Sequence, residues 1–263
     1  LSIKPDYSDA YLQVTEILKT QSNGAIQQDG IVNIDKKVRR FGKKLLAKSS
    51  DKEIAVNLLE AFNYIHQAEF KFKTPLSQIY KRNSVHLNCD RHTKIFDERD
   101  IIPEFCFGCF KVQVEVDELF SLIRLTKIFY DLTLEKDVTR KTMIEMRPDI
   151  SGFYKGYFYC RGLEHARHLK EKLDIDLNCT FGERTISQIK RGCSEFPFKF
   201  PDYGKIKNEK TVSMDYPPEW REKEDQFDKY SPIKQKEGWM PSLSEFCLSD
   251  FYILQKWIDY AKG

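Results

Sequence analysis

Cys89-Asp-Arg-His92, then thirteen residues, then Cys106-Phe-Gly-Cys109, leads directly into Lys111-Val-Gln-Val-Glu-Val116. A Cys-x2-His followed by a Cys-x2-Cys has the spacing of two zinc half-sites, each placing two soft donors on one tight turn. The pattern predicts a structural zinc ion held by Cys89, His92, Cys106 and Cys109. Four ligands leave no open position of the kind a catalytic zinc keeps. Gly108 is expected to let the second turn bend close to the metal without a Cβ clash. His86 is a substitute ligand. Two other readings stay open: an iron–sulfur cluster on Cys89, Cys106, Cys109 and a distant cysteine such as Cys193, or buried thiols with a surface histidine beside Arg91.

From Cys109 onward the hydrophobic period changes. Lys111 to Val116 alternates strictly and reads as a strand with Val112, Val114 and Val116 on one face. Asp117 is expected to cap a helix running to about Asp131. Lys141 to Arg147 reads as a second strand, Asp149-Ile-Ser-Gly152 as a turn, and Tyr154 to Cys160 as a third strand. A helix over Gly162–Leu173 and an alternating segment over Thr185–Phe196 complete the order strand, helix, strand, strand, helix, strand. That is the ferredoxin-like βαββαβ arrangement, an α+β fold with both helices on one face of a four-stranded antiparallel sheet.

Alternation then assigns the other face. Lys111, Gln113 and Glu115 point away from the helices, as do Met143, Glu145 and Arg147, while Thr142, Ile144 and Met146 point in. On the third strand Lys155, Tyr157 and Tyr159 come out. Glu115, Glu145, Arg147, Lys155, Tyr157 and Tyr159 are therefore the candidate ligand-binding residues of an open sheet face, unless the C-terminal extension lies across it. Lys155-Gly-Tyr-Phe-Tyr159 resembles the third-strand octamer of RNA-recognition motifs, with Tyr157 and Tyr159 at the base-stacking positions. Phe158 departs from that family's small residue, and Gln113 stands where its first strand has an aromatic. The resemblance implies RNA as a partner. Ferredoxin-like sheets also serve polymerase palms and nucleotide cyclases, where carboxylates near Asp117 and Asp149 would hold metal ions. An enzyme acting on a nucleotide or phosphate at the same face is the alternative function, although Asp117 and Asp149 are also explained as cap and turn.

Around this centre the chain carries helices before and an extension after. Leu1-Ser-Ile-Lys-Pro-Asp-Tyr-Ser-Asp-Ala-Tyr-Leu-Gln-Val14 resembles a junction between two tetratricopeptide repeats. The match covers the first 25 to 30 residues, lapses from Ala25 where Gly30 interrupts the pattern, and implies an array cut from a longer chain that binds protein partners. Asp35 to Ala47 reads as a basic amphipathic helix, and Ser50-Asp51 as the cap of a helix over Glu53–His66. Residues 202 to 240 are rich in Lys, Glu, Pro and Tyr, and are expected to wrap along a surface with each aromatic as an anchor. Ser242 should cap a final helix that docks on the core through Phe246, Phe251, Leu254 and Trp257. The expected divisions are 1–80 (helical), 81–110 (metal hairpin), 111–200 (α+β) and 201–263 (extension and helix).

Bulk properties limit the function. Hydrophobic residues make up 41% of 263, enough for real cores. Lys plus Arg is 43 against 40 for Asp plus Glu, so no strong basic excess points to nucleic acid. No run approaches a membrane-spanning length. Seven cysteines at largely unpaired spacings suit a reducing compartment, the cytoplasm, better than a disulfide framework. Together these readings predict a zinc-stabilised binding module that recognises a protein or nucleic acid on its sheet face.

Overall fold

The computed structural model describes residues 30–47, 50–68, 77–81, 87–134, 138–147, 150–182, 185, 187–208, 210–230 and 246–262. In chain order the elements are α1 (Gly30–Ala47), α2 (Asp51–Gln67), β1 (Gln78–Lys81), α3 (Cys89–Arg99), α4 (Glu104–Phe107) and β2 (Cys109–Val116). They continue with α5 (Leu119–Asp131), β3 (Arg140–Ile144), β4 (Tyr154–Arg161), α6 (Leu163–Phe181) and β5 (Ser187–Arg191). The last are α7 (Phe196–Lys199), β6 (Ile206–Lys207), β7 (Thr211–Val212), α8 (Trp220–Tyr230) and α9 (Leu248–Ala261). The fold is α+β: helices with a five-stranded sheet in the order β1-β3-β4-β2-β5, plus a β6–β7 hairpin. No described helix is long and apolar enough to cross a membrane.

The chain divides into two compact, interleaved units: Leu1–Asn83, Val116–Gly156 and Met240–Gly263 in the first, Ser84–Glu115 and Tyr157–Trp239 in the second. In the first unit, α1 and α2 pack against each other and α5 lies on β3. Ser50 caps α2 as the sequence predicts, its hydroxyl accepting the Glu53 N–H at 3.3 Å. β1 and β3 pair antiparallel, Ile79 against Thr142, and Thr142 shares a buried hydroxyl contact of 2.8 Å with Thr126 of α5. Gly156 is required where α5 crosses β4, because a Cβ there would stand 2.5 Å from the Phe129 ring. The final helix docks as expected: Phe246, Phe251, Leu254 and Trp257 are buried, and the Trp257 indole donates to the Ser77 carbonyl at 2.9 Å. Its first turn is tied down by Asp35, which accepts the Leu248 N–H at 2.8 Å and ion-pairs with Arg39 at 2.6 Å. Burial raises the Asp35 carboxyl above its usual range, the Arg39 charge opposing that rise.

In the second unit β2 and β5 pair antiparallel, from Phe110 against Arg191 to Val114 against Ser187. Val112 and Val114 are fully buried, and α6 packs on β5. Arg91 of α3 bonds Asp228 and Glu224 of α8. Glu224 also accepts the Glu104 N–H at 2.7 Å and the Tyr216 hydroxyl at 2.9 Å, so one buried carboxylate ties α8 to the start of α4.

Several sequence expectations are corrected. Asp117 is not the cap of α5: Glu118 holds that position without a side-chain cap bond. β3 stops at Ile144, so Met146 falls beyond the strand and lies exposed rather than inward. α6 runs to Phe181 because Leu169, Leu173 and Leu177 continue the buried stripe past Leu173. Residues 202–240, expected to wrap along a surface, contain α8 and the β6–β7 hairpin. The final helix starts at Leu248, well past Ser242. The repeat-like residues 1–29, His86, Asp149 and Ser242 lie outside the described residues.

Candidate functional site

The predicted ligands all fall in the second unit. Cys89 opens α3 and is exposed; its predecessor Asn88 is left-handed at φ 52°. Pro103 starts α4, where the Cys106 N–H bonds the Pro103 carbonyl at 2.9 Å and the Gly108 N–H bonds Phe105 at 3.2 Å. Cys106 thus lies in the last turn of α4 and Cys109 opens β2. Gly108 does not depend on lacking a side chain: its φ is −92°, and a Cβ would meet its nearest neighbour at 3.7 Å, an ordinary contact. The demanding glycine is Gly192, at φ +53°, where a Cβ would collide with the Tyr203 hydroxyl. That buried hydroxyl donates to the Cys106 carbonyl at 2.8 Å.

The surroundings are aromatic and basic. Cys106 shares a buried cluster with Ile102, Phe196 and Tyr203, against which Cys193 and Phe107 pack. Arg191 lies 4.7 Å from the Phe107 ring centre and 4.8 Å from that of Tyr203, and donates to the carbonyls of Met214 and Phe107. Burial pushes the Cys109 thiol up to about 12, with Cys193 and Cys89 adding to the rise and Lys111 and Arg161 opposing it. Burial also raises Cys106 strongly, with Cys193, Cys109 and Cys89 contributing in that order. Four sulfurs thus act on one another, while among the described residues no group of three or more His, Cys, Asp or Glu side chains is arranged to hold a metal ion. Their donor chemistry nevertheless suits a soft divalent cation, whose charge would offset the burial that keeps these thiols protonated. His92 is buried and its ring lies against Phe105, 4.9 Å between centroids and 24° between planes.

The six sheet-face candidates divide between the units. In the first, Glu145, Arg147 and Lys155 come together: Glu145 is 2% exposed and accepts Nε and Nη2 of Arg147, each at 2.8 Å. Those hydrogen bonds hold the Glu145 carboxyl below its usual range, with Lys155 adding to the effect. Lys155 is fully buried and its ammonium donates to the Ser151 carbonyl. In the second unit, Glu115 accepts from Gln113 at 3.1 Å. Tyr157 is 3% exposed beneath Lys111, whose ammonium lies 5.1 Å from the ring centre and bonds Ser194 at 3.2 Å. Tyr159 is half-buried.

The expectation of an open face is therefore corrected at Lys111, Gln113, Glu145, Lys155 and Tyr157, all of them buried. Alternation says which side of a strand a residue takes, and not what lies over it. Lys111 bonds Ser194, Gln113 bonds Glu115, Glu145 bonds Arg147 and Lys155 bonds Ser151, which offsets the usual penalty for covering these groups. Of the six, Arg147 is exposed, and Tyr157 is closed to a stacking base. The accessible groups the sequence reading missed are Met146, 67% exposed, and Phe153, 63% exposed, at the mouth of the β3–β4 hairpin. The Glu145 N–H bonds the Phe153 carbonyl across that hairpin at 2.6 Å. Elsewhere in the first unit α1 and α2 border a shallow cleft of about 400 Å³ lined by Lys44, Lys52, Glu53, Val56, Asn57 and Glu60. No protein-family model, curated protein or solved structure matches the chain.

Proposed function

We propose that the chain is a zinc-stabilised binding module of the cytoplasm, whose ferredoxin-like sheet offers a protein-recognition surface at the mouth of the β3–β4 hairpin. The observation that carries this reading is the exposure of Met146 and Phe153 beside an Arg147 guanidinium already held on Glu145. Large apolar side chains beside arginine make the composition that protein interfaces favour. A guanidinium already ordered loses little freedom when a partner covers it. The strand order supports the ferredoxin-like assignment, since β3-β4-β2-β5 is the order of a βαββαβ sheet and β1 adds an edge. The near balance of charge favours a protein over a nucleic acid, as does the repeat-like opening. The odd number of cysteines and their spacings favour a reducing compartment over a disulfide framework. A catalytic role on a nucleotide or phosphate would instead require Arg147 to leave Glu145 for the substrate.

The test uses a partner captured by the intact chain and then purified. Calorimetry should show saturable binding that Phe153→Asp and Met146→Asp each weaken about tenfold or more, as loss of an apolar anchor does. Ile175→Asp, at an exposed site in the second unit, should leave binding unchanged. Equal binding by all three variants, or binding of single-stranded RNA in preference to protein, would overturn the reading.

A further inference from the structure

We propose that Cys193, and not His92, completes the metal site, giving a four-thiolate zinc centre on Cys89, Cys106, Cys109 and Cys193. This rests on reading the cysteine cluster as a structural metal site and changes its ligand set. Two geometric relationships bring Cys193 there. The β2–β5 register ends with Phe110 against Arg191, and the next N–H, from Gly192, donates to the Cys109 carbonyl at 2.8 Å. Cys193 therefore leaves the sheet immediately beside the Cys106–Cys109 turn. It also packs against the apolar cluster whose buried members include Cys106.

His92 is differently engaged. Its buried ring stacks on Phe105, and the Arg161 guanidinium lies over that same phenyl ring at 5.9 Å.

Each thiol would release its proton to solvent as its Zn–S bond forms, and four thiolates around Zn²⁺ leave two negative charges on the centre. The ion would tie the start of α3 and the α4 turn to the exit of β5, closing a long stretch of chain.

X-ray absorption at the zinc edge on the intact, zinc-loaded chain reads the ligand set directly. Four sulfurs at about 2.3 Å are expected; three sulfurs with one nitrogen at about 2.0 Å would overturn the proposal. His92→Gln should keep zinc and the all-sulfur shell. Cys193→Ser should lose zinc, and Cys193→His, which preserves a donor if the serine variant fails to fold, should show three sulfurs and one nitrogen. Zinc lost in His92→Gln but kept in Cys193→Ser would overturn the assignment of Cys193 and leave the Cys–His set standing. No zinc in the wild-type chain, or iron with sulfide in its place, would overturn both.

Discussion

The backbone N–H of Gly192 donates to the Cys109 carbonyl at 2.8 Å, carrying the β2–β5 ladder one step past its last pair before the chain turns away. Gly192 makes that turn at φ +53°, with the Tyr203 phenol in the space a Cβ would need. The same phenol bonds the Cys106 carbonyl, so one glycine links the end of β5 to the turn that bears two cysteines.

Gly192→Ala should cost at least about 1–2 kcal/mol for its left-handed backbone, before the clash with Tyr203. Tyr203→Phe leaves the Cys106 carbonyl without its buried donor and should cost about 1–3 kcal/mol. The double variant should be less destabilised than the sum, because loss of the hydroxyl frees part of the space. Urea midpoints measure all three, and strict additivity would contradict the arrangement.

Glu145→Gln should destabilise by about 1–2 kcal/mol at neutral pH, since its fork with Arg147 is charge-assisted but screened on the half-exposed arginine side. The Glu145 carboxyl is held below its usual range by those hydrogen bonds. A lowered folded-state value means the stabilisation is present above the unfolded value of about 4.3 and is lost as pH falls through the lower folded one. Between those values the wild type should lose stability faster than Glu145→Gln. Parallel curves would refute the pairing.

Gly156→Ala should cost about 1–3 kcal/mol by overpacking β4 against the Phe129 and Leu125 side chains. Phe129→Leu in the same chain should recover part of the loss by making room. Thermal melts of the four combinations decide it, and an unaltered melt for Gly156→Ala would contradict the close approach.

Tyr157→Ala should behave as a core truncation, with a loss of about 3–5 kcal/mol typical of a buried aromatic, and should not alter binding of single-stranded RNA. Chemical denaturation and a fluorescence titration separate the two effects. A folded, fully stable variant with weakened RNA binding would restore the stacking role.

The limits of the sequence reading are visible in particular residues. Val112 and Val114 are legible as buried because apolar residues in a short alternating strand are a local signal, and both are buried. Lys111 and Tyr157 were misread as open, since the Ser194 segment that meets Lys111 comes from far along the chain. Cys193 entered only as one distant cysteine among alternatives, because spacing ranks near neighbours and strand pairing ranks distant ones. Met146 was assigned inward by extending β3 past Ile144, where pairing had already ended.

The most direct test of the account is the metal content of the intact chain, purified without added metal and measured by elemental analysis before and after chelation. About one zinc per chain, removed by the chelator with loss of the cooperative unfolding transition, is the predicted result. A metal-free chain that unfolds cooperatively at the same midpoint, with or without added zinc, would contradict it.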